Sequence, residues 1–146
     1  MTIGQTRRDR LRFVFLAADP FPPVRPDVMT LFGRELIRLD HQITWILTSK
    51  NPAEPRLELL WPCGPLYLGG RRSGTSFVTN LYNRWRDLLN DLKLIKILRT
   101  GSFDFVQLKD KFLAVIPTIL IAKWYKTPFF YWLSFPYPEE AQYLAD

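Results

Sequence analysis

Residues 11–23 read Leu-Arg-Phe-Val-Phe-Leu-Ala-Ala-Asp-Pro-Phe-Pro-Pro, an apolar run interrupted only by Arg12 and ended by a proline-rich turn. Such a run is typical of a central strand that is buried on both faces of a sheet. Apolar residues then recur every three or four positions over residues 27–40, which predicts a helix that Asp27 either caps or favours through its charge. The β-branched, apolar residues 42–48 predict a second strand. Together these segments predict a right-handed β-α-β unit.

A third, shorter strand is predicted over Leu57–Trp61, ended by the Pro-Cys-Gly-Pro sequence of residues 62–65. A long amphipathic helix is predicted over residues 77–99, and Gly101 is suited to end it in the left-handed conformation. The apolar stripe of this helix consists of Phe77, Leu81, Trp85, Leu88, Leu92 and Ile95.

The last third of the chain repeats the alternation of strand and helix. Residues 104–108 and 128–133 predict two more strands, and residues 113–125 predict a helix between them with Pro117 near its first turn. Glu139 and Glu140 open a further helix. The alternation predicts an α/β fold, a Rossmann-like parallel sheet with helices on both faces.

The predicted domain occupies residues 1–146 as a single unit. The strands that begin near residues 11, 42, 104 and 128 are expected to be parallel neighbours in one sheet. An amphipathic helix at the very end of the chain would have nothing after it to pack against. We therefore expect the domain to be truncated at its C-terminal end.

Composition restricts the class of protein. Apolar residues make up 47% and charged residues 23%, the balance of a globular protein. Cys63 is the single cysteine, which excludes an internal disulfide framework and favours a packed thiol over a nucleophile. His41 is the single histidine, so no His/Cys cluster for zinc is expected. The longest apolar stretch, residues 112–122, is too short to span a bilayer, and no secretory signal is visible, so a cytoplasmic location is expected.

The net charge of +6 suggests an acidic partner. Anionic lipid headgroups, a phosphorylated substrate or nucleic acid would all suit a basic chain. No nucleic-acid-binding motif is present, so nucleic acid is not an expected partner. An anionic membrane surface is an expected partner. Binding to it would place the protein on the inner face of the cell membrane as a peripheral protein.

The candidate site follows from the predicted sheet. Ligands of such sheets bind at the carboxyl ends of the strands, where residues distant in sequence gather at one edge. The loops after the first, fourth and last predicted strands carry polar or aromatic candidates there: Asp19, Arg25, Lys109, Asp110, Ser134 and Tyr137. The first of these loops lacks a Gly-x-Gly-x-x-Gly sequence, so dinucleotide binding is not expected.

Each candidate has a structural alternative. Arg25 could meet an anion together with the helix N-terminus, or be a solvated loop residue. Asp110 lies between two lysines, which suits an ionised acceptor of sugar hydroxyls, although it could equally cap the following helix. Tyr137 and Phe135 could stack on a sugar ring or insert among lipid tails, or pack in the core. No catalytic triad, glycosidase carboxylate pair or phosphate loop is visible, and the catalytic residues stay unknown.

Four segments, in their order and spacing, resemble the N-terminal domain of family 4 glycosyltransferases. They are residues 11–23, residues 38–48, residues 103–110 and residues 113–138. The resemblance implies the N-terminal half of a GT-B fold in a retaining hexosyltransferase, of the kind used in cell-envelope polysaccharide synthesis. The sugar-nucleotide donor would sit on a separate C-terminal domain, and this half would bind a glycan or lipid-linked acceptor without metal or cofactor. By itself it would be inactive.

The sequence departs from the family pattern at the site. Arg25-Pro26 stands near the place of a common Gly-Gly pair, and Lys109 and Ser134 stand where many members have histidines. Asp110 matches a position that is often acidic, and His41 matches a structural histidine. The resemblance therefore assigns acceptor-binding residues but no catalytic one. The alternatives are a non-catalytic binding or scaffold domain at a membrane surface and an unrelated nucleotide-binding domain.

Overall fold

A computed structural model describes residues 10–49, 57–61, 63–69 and 72–134, the second of these ranges as backbone only. Its strands are β1 (Arg12–Phe21), β2 (Gln42–Ser49), β3 (Leu57–Trp61), β4 (Gly64–Leu68), β5 (Phe105–Lys109) and β6 (Phe129–Trp132). Helix α1 joins a π-helical segment, Val28–Glu35, to a short α-helical one, Leu36–Arg38. The remaining helices are α2 (Phe77–Asp91), α3 (Lys93–Thr100) and α4 (Phe112–Trp124). The helix predicted at Glu139 lies outside the described residues.

The six strands form one sheet in the order β3-β4-β2-β1-β5-β6. The four strands predicted to be parallel neighbours, β2, β1, β5 and β6, are adjacent and parallel. This confirms the α/β, Rossmann-like prediction for the fold. The chain passes from β1 through α1 to β2 on one side, whereas β5 lies on the other side of β1, so the strand order reverses between β1 and β5.

The edge of the sheet beside β2 differs from the prediction. β3 is a strand as predicted, but it pairs antiparallel with β4. The strand β4 was not predicted, because a Pro-Cys-Gly-Pro sequence usually ends a strand. Here that sequence turns the chain. Gly64 begins β4 at a φ of +120°, and a Cβ at this position would lie 2.1 Å from the carbonyl oxygen of Ile43. The chain therefore returns beside β2 only because residue 64 has no side chain.

Helices cover both faces of the sheet. On one face, apolar residues of β1, β2 and β4 pack against Val28 and Phe32 of α1, and the Phe15 and Phe32 rings stack with centroids 4.3 Å apart. On the other face, apolar residues of β1, β2 and β5 pack against Leu94, Ile97 and Leu98 of α3 and against Ala114 and Ala122 of α4. The central strand β1 contributes to both layers, which explains its nearly unbroken apolar sequence.

Helix α1 begins after Asp27 as predicted, but the Asp27 side chain makes no capping hydrogen bond. Its carboxylate instead lies beside two cations at the end of the sheet, described below.

Pro117 lies inside α4 rather than in its first turn, because the helix begins at Phe112. Proline has no N–H, so the Leu113 carbonyl lacks its usual helical donor.

The helix predicted over residues 77–99 is divided at Leu92 into α2 and α3. The apolar stripe predicted for it is largely exposed: Phe77 is 80% exposed and Trp85 is 60% exposed. The buried residues of α2 are Asn83, Asn90 and Asp91, because polar groups beneath the helix require partners. Asn90 Nδ2, for example, donates to the carbonyl oxygens of Leu47 and Tyr67.

Gly101 is extended, with φ −154° and ψ 162°, so the predicted left-handed end of the helix is wrong. The chain passes directly from α3 toward β5. There the carboxylate of Asp104 accepts a hydrogen bond from the backbone N–H of Arg12 at 2.7 Å.

Replacing Gly64 with alanine tests the turn between β3 and β4. We expect Gly64→Ala to lower the free energy of unfolding by at least about 1–3 kcal/mol, because it adds left-handed strain and a clash with a backbone oxygen. Gly101→Ala is the matched control, since this residue is extended and its nearest neighbour is a movable Phe103 side chain. Urea denaturation of both variants measures the difference, and equal stabilities would contradict this account of the turn.

Candidate functional site

The candidate site lies where the strand order reverses, at the carboxyl ends of β1 and β5. Ligands of open α/β sheets bind in the crevice at this place. The β1–β2 register shifts between Leu16 and Pro20, and the Thr48 hydroxyl donates to the carbonyl oxygens of Ala18 and Asp19 across the irregularity. The Asp19 side chain is 5% exposed and meets the last residue of β5.

That residue, Lys109, carries a fully buried ammonium group. Its Nζ lies 2.9 Å from Asp19 Oδ2, 3.3 Å from Asp110 Oδ2 and 4.0 Å from Asp27 Oδ2. The same nitrogen lies 5.4 Å from the centre of the Trp132 ring. A buried charge is tolerated only when it is paired, and three carboxylates from three segments meet that requirement here.

Arg25 joins the same carboxylates from the solvent side. One terminal nitrogen lies 3.3 Å from Asp110 Oδ2, and Nε lies 3.5 Å from Asp27 and 3.8 Å from Asp19. The side chain is 32% exposed, so the guanidinium forms the surface of the cluster. The interpretation of Arg25 as a solvated loop residue is therefore wrong. With three carboxylates and two cations, the cluster carries one negative charge in excess.

Asp110 is held most firmly. Its φ is +55°, its side chain is 9% exposed, and its Oδ1 accepts a hydrogen bond of 2.8 Å from the Ser134 backbone N–H. Burial would raise the pKa of Asp110, but the Ser134 N–H and the Lys109 charge outweigh it and hold the pKa below its ordinary value. The N-cap residue of α4 is Lys111, so the alternative that Asp110 caps this helix is wrong.

Ser134 supplies the remaining contact of the cluster, directly after β6. Its buried hydroxyl meets hydrogen-bond geometry with no group in the described part of the chain, but it lies near enough to the Asp110 carboxylate to help lower the pKa of that group. The structure thus brings together Asp19, Arg25, Lys109, Asp110 and Ser134. Tyr137 and Phe135 lie outside the described residues. The acceptor-binding role of all six predicted residues stays a prediction.

A second buried ion pair was not predicted. Lys111 was expected to flank Asp110, but its ammonium group turns away and donates to Asp91 of α2. Burial raises the pKa of Asp91, and the Lys111 charge opposes that rise. The available signal was the polar series Asn83, Asn90 and Asp91 along one side of α2. In sequence, such a series cannot be distinguished from an ordinary solvated helix face.

A crevice of about 580 Å³ lies beside these groups, between α2 and α4 and over the ends of β1, β2 and β5. This volume is within the range of small-molecule sites. Its polar lining includes Thr48, Arg84, Asp87, Asp91, Asp110 and Lys111. Its apolar lining includes Leu88, Phe112 and Leu113. Carboxylates, cations and one apolar wall suit a polyhydroxylated ligand with an apolar face.

A smaller cavity, about 360 Å³, lies at the opposite edge of the sheet near His41 and Cys63. His41 Nδ1 accepts a hydrogen bond from the Leu11 N–H, and Cys63 Sγ donates to the Gly33 carbonyl oxygen at 3.2 Å. Burial raises the pKa of the Cys63 thiol, which disfavours the nucleophilic thiolate. The polar groups of this cavity hold the fold together.

Metal ligands are not grouped in the described part of the chain. No set of three or more His, Cys, Asp or Glu residues there could hold a metal ion. The carboxylates of Asp19, Asp27 and Asp110 face Lys109 and Arg25 instead.

Comparisons with known proteins show the fold but no family. No family model matches the chain, and no curated protein matches it. Two solved structures of the C-terminal domain of the PF1911 hydrogenase from Pyrococcus furiosus do match. One, residues 78–226, superposes with a TM-score of 0.59 at 13% identity, covering 83% of this chain and 89% of that one. The other, residues 83–215, superposes with a TM-score of 0.56 at 11% identity, covering 84% of this chain and 91% of that one. At such identities the likeness extends to the fold alone.

Asp110 gives a test of the cluster by pH. Its folded-state pKa is lowered, so its ionised form stabilises the fold fully above the ordinary pKa of 3.8, and this stabilisation is lost as the pH falls through the folded-state pKa. We expect Asp110→Asn to cost about 1.5–3 kcal/mol at neutral pH and progressively less below pH 4. Urea denaturation across this range measures the difference.

The matched control is Asp40→Asn. Asp40 also has a left-handed φ, 66°, and also pairs with an arginine, but its side chain is 70% exposed. Asparagine accepts the left-handed conformation at both positions. A cost for Asp110→Asn that equals the control, or that does not change with pH, would show that the cluster does not depend on this charge.

Proposed function

We propose that this chain is the acceptor-binding half of a GT-B-type, retaining glycosyltransferase that uses a nucleotide-sugar donor. The observation that carries the proposal is the crevice at the switch point of the sheet, with fixed carboxylates on one side and an apolar wall on the other. The resemblance of four ordered segments to the N-terminal domain of family 4 glycosyltransferases supports it from the sequence. The hydrogenase-domain structures contribute the fold only.

The lining of the crevice matches the chemistry of a sugar acceptor. The ionised Asp110 carboxylate lines the crevice and can accept a hydrogen bond from a sugar hydroxyl. Arg84 lies exposed at the mouth and can donate to ring or hydroxyl oxygens. Phe112 and Leu113 offer an apolar surface to one face of a sugar ring or to the lipid of a lipid-linked acceptor.

The loop after β1 favours a donor site elsewhere. Residues 19–27 contain no glycine, and Arg25 and Asp27 bind each other and the cluster. A phosphate-binding loop instead presents several free backbone N–H groups to the ligand. In the proposed reaction a partner C-terminal domain holds the nucleotide sugar. The acceptor oxygen forms the new bond to the anomeric carbon, the bond from that carbon to the nucleoside diphosphate breaks, and the hydroxyl proton passes to the departing diphosphate oxygen.

Ligand binding by the isolated chain tests whether it holds the acceptor site and not the donor site. We expect weak binding of glucose, mannose or a short oligosaccharide, at roughly millimolar concentration, and no tight binding of uridine or guanosine diphosphate sugars. Saturation-transfer NMR measures the first and calorimetry the second. Sub-micromolar affinity for a nucleotide sugar would show that the donor site is in this chain and would overturn the proposal.

Arg84→Gln tests the crevice in the chain joined to a donor-binding domain. Losing a charged hydrogen bond to the acceptor should lower kcat/KM by about ten- to a hundredfold, while the exposed position leaves the unfolding free energy nearly unchanged. Arg99→Gln is the control, because Arg99 is an exposed arginine of α3 that does not line the crevice. Equal kinetics in the two variants would exclude the crevice as the acceptor site.

A further inference from the structure

The outward face of α4 is apolar along its whole length. A helix that covers a sheet normally turns polar residues toward solvent. The outward residues of α4 instead include six large apolar side chains with exposures between 39% and 83%: Phe112, Leu113, Ile116, Ile119, Leu120 and Trp124. We name these six residues the α4 ridge. Their combined exposed surface amounts to roughly several hundred Å², which on a monomer marks an interaction site.

Folding does not account for the ridge. On its inner side α4 buries the small Ala114, Thr118 and Ala122, and Val115 and Ile121 pack partly buried against the same core. A helix selected only to stabilise a core buries its large apolar residues and exposes small or polar ones. Here α4 carries, in addition to its inner side, six large apolar side chains on the outward side, each between 39% and 83% exposed.

The charge around the ridge indicates which partner. Residues 111–134 contain no aspartate or glutamate and three lysines, of which Lys111 is neutralised by its buried ion pair with Asp91. Lys123 and Lys126 are exposed beside Trp124, which is 83% exposed at the end of the helix. Large apolar residues with a tryptophan and lysines at one end suit a surface that meets an anionic bilayer; α4 has no polar face of its own, because its inner side packs on the core. The net charge of +6 adds long-range attraction to such a surface.

We infer that the α4 ridge docks this protein onto an anionic membrane surface, with α4 lying in the plane of the interface. The 13 residues of α4 span about 20 Å, which is shorter than a bilayer core. Among the described helices, none is both long and apolar enough to cross a bilayer. A second copy of the chain is a poorer match to the ridge, because both copies would carry the same net charge of +6.

This inference does not depend on the proposed glycosyltransferase function, because membrane docking requires no sugar ligand. The two ideas meet at Phe112 and Leu113, which belong both to the ridge and to the crevice wall. If the proposed function also holds, the crevice mouth would face the membrane, and a lipid-linked acceptor could enter it directly.

Vesicle flotation of the 146-residue chain tests the docking. The probes are vesicles of phosphatidylcholine mixed with phosphatidylglycerol and vesicles of phosphatidylcholine alone. We expect binding to the first kind and much weaker binding to the second, with a decrease in added salt. Ile116→Gln and Leu120→Gln should each lower the partition coefficient by about tenfold or more, because each removes an apolar side chain from the interface.

Matched control variants show whether vesicle binding depends on the α4 ridge or on any exposed apolar residue. Val24→Gln and Leu39→Gln alter apolar residues that are 69% and 58% exposed but lie outside α4, and they should bind vesicles as the wild type does. Lys123→Glu should reduce binding to the anionic vesicles by at least about fivefold and leave binding to phosphatidylcholine unchanged.

Two results would overturn the inference. In one, the ridge variants bind anionic vesicles as tightly as the wild type. In the other, the wild type binds no vesicles but sediments as a dimer that Ile116→Gln dissociates, which would identify a second copy as the partner. Either result would leave the sugar-binding tests of the crevice unaffected, so the two proposals fail independently.

Discussion

The buried ammonium group of Lys109 is the constraint on which the end of the sheet depends. A lysine at the end of a central strand cannot reach water, because its Nζ is enclosed by Asp19, Asp110 and the Trp132 ring. Its charge therefore has to be balanced locally. That requirement fixes the carboxylates of three separate segments and draws Arg25 over them. The same contacts leave Asp110 ionised beside the crevice.

Much of the fold was predictable, because strands of a parallel sheet leave apolar runs in the sequence, and β6 keeps such a run although Phe130 and Tyr131 are exposed. β1, β2, β5 and β6 are short apolar runs bounded by charged residues, prolines or a glycine, and their parallel adjacency follows from the helices between them. β4 was missed because its turn depends on one glycine at a positive φ. The apolar stripe of α2 was predicted to face inward, but the buried side carries Asn90 and Asp91. Their partners, the Leu47 carbonyl oxygen and the Lys111 ammonium group, belong to other elements and are not visible in the helix sequence.

The residues of the candidate site were predictable in part. The carboxyl ends of parallel strands share one edge, and that rule alone placed Asp19, Lys109 and Asp110 together. It could not show that Lys111 turns away toward Asp91, because a lysine side chain has several rotatable bonds and its direction depends on where a carboxylate is found. Nor could it show the crevice, whose walls come from α2 and α4.

The pairing of β1 with β5 also has a consequence for how the chain folds. Phe13 pairs with Phe105, 92 residues later, whereas β3 and β4 form a local hairpin. Contacts across such separations form slowly, because a long loop must close before they stabilise anything. During synthesis β1, α1 and β2 emerge first, and until β5 arrives the Asp19 carboxylate has no Lys109 to balance it. Arrival of β5 therefore brings Lys109 and Asp110 to Asp19, and β6 then adds the edge of the sheet and the Ser134 contact, so the charge cluster forms only as the last strands join the sheet.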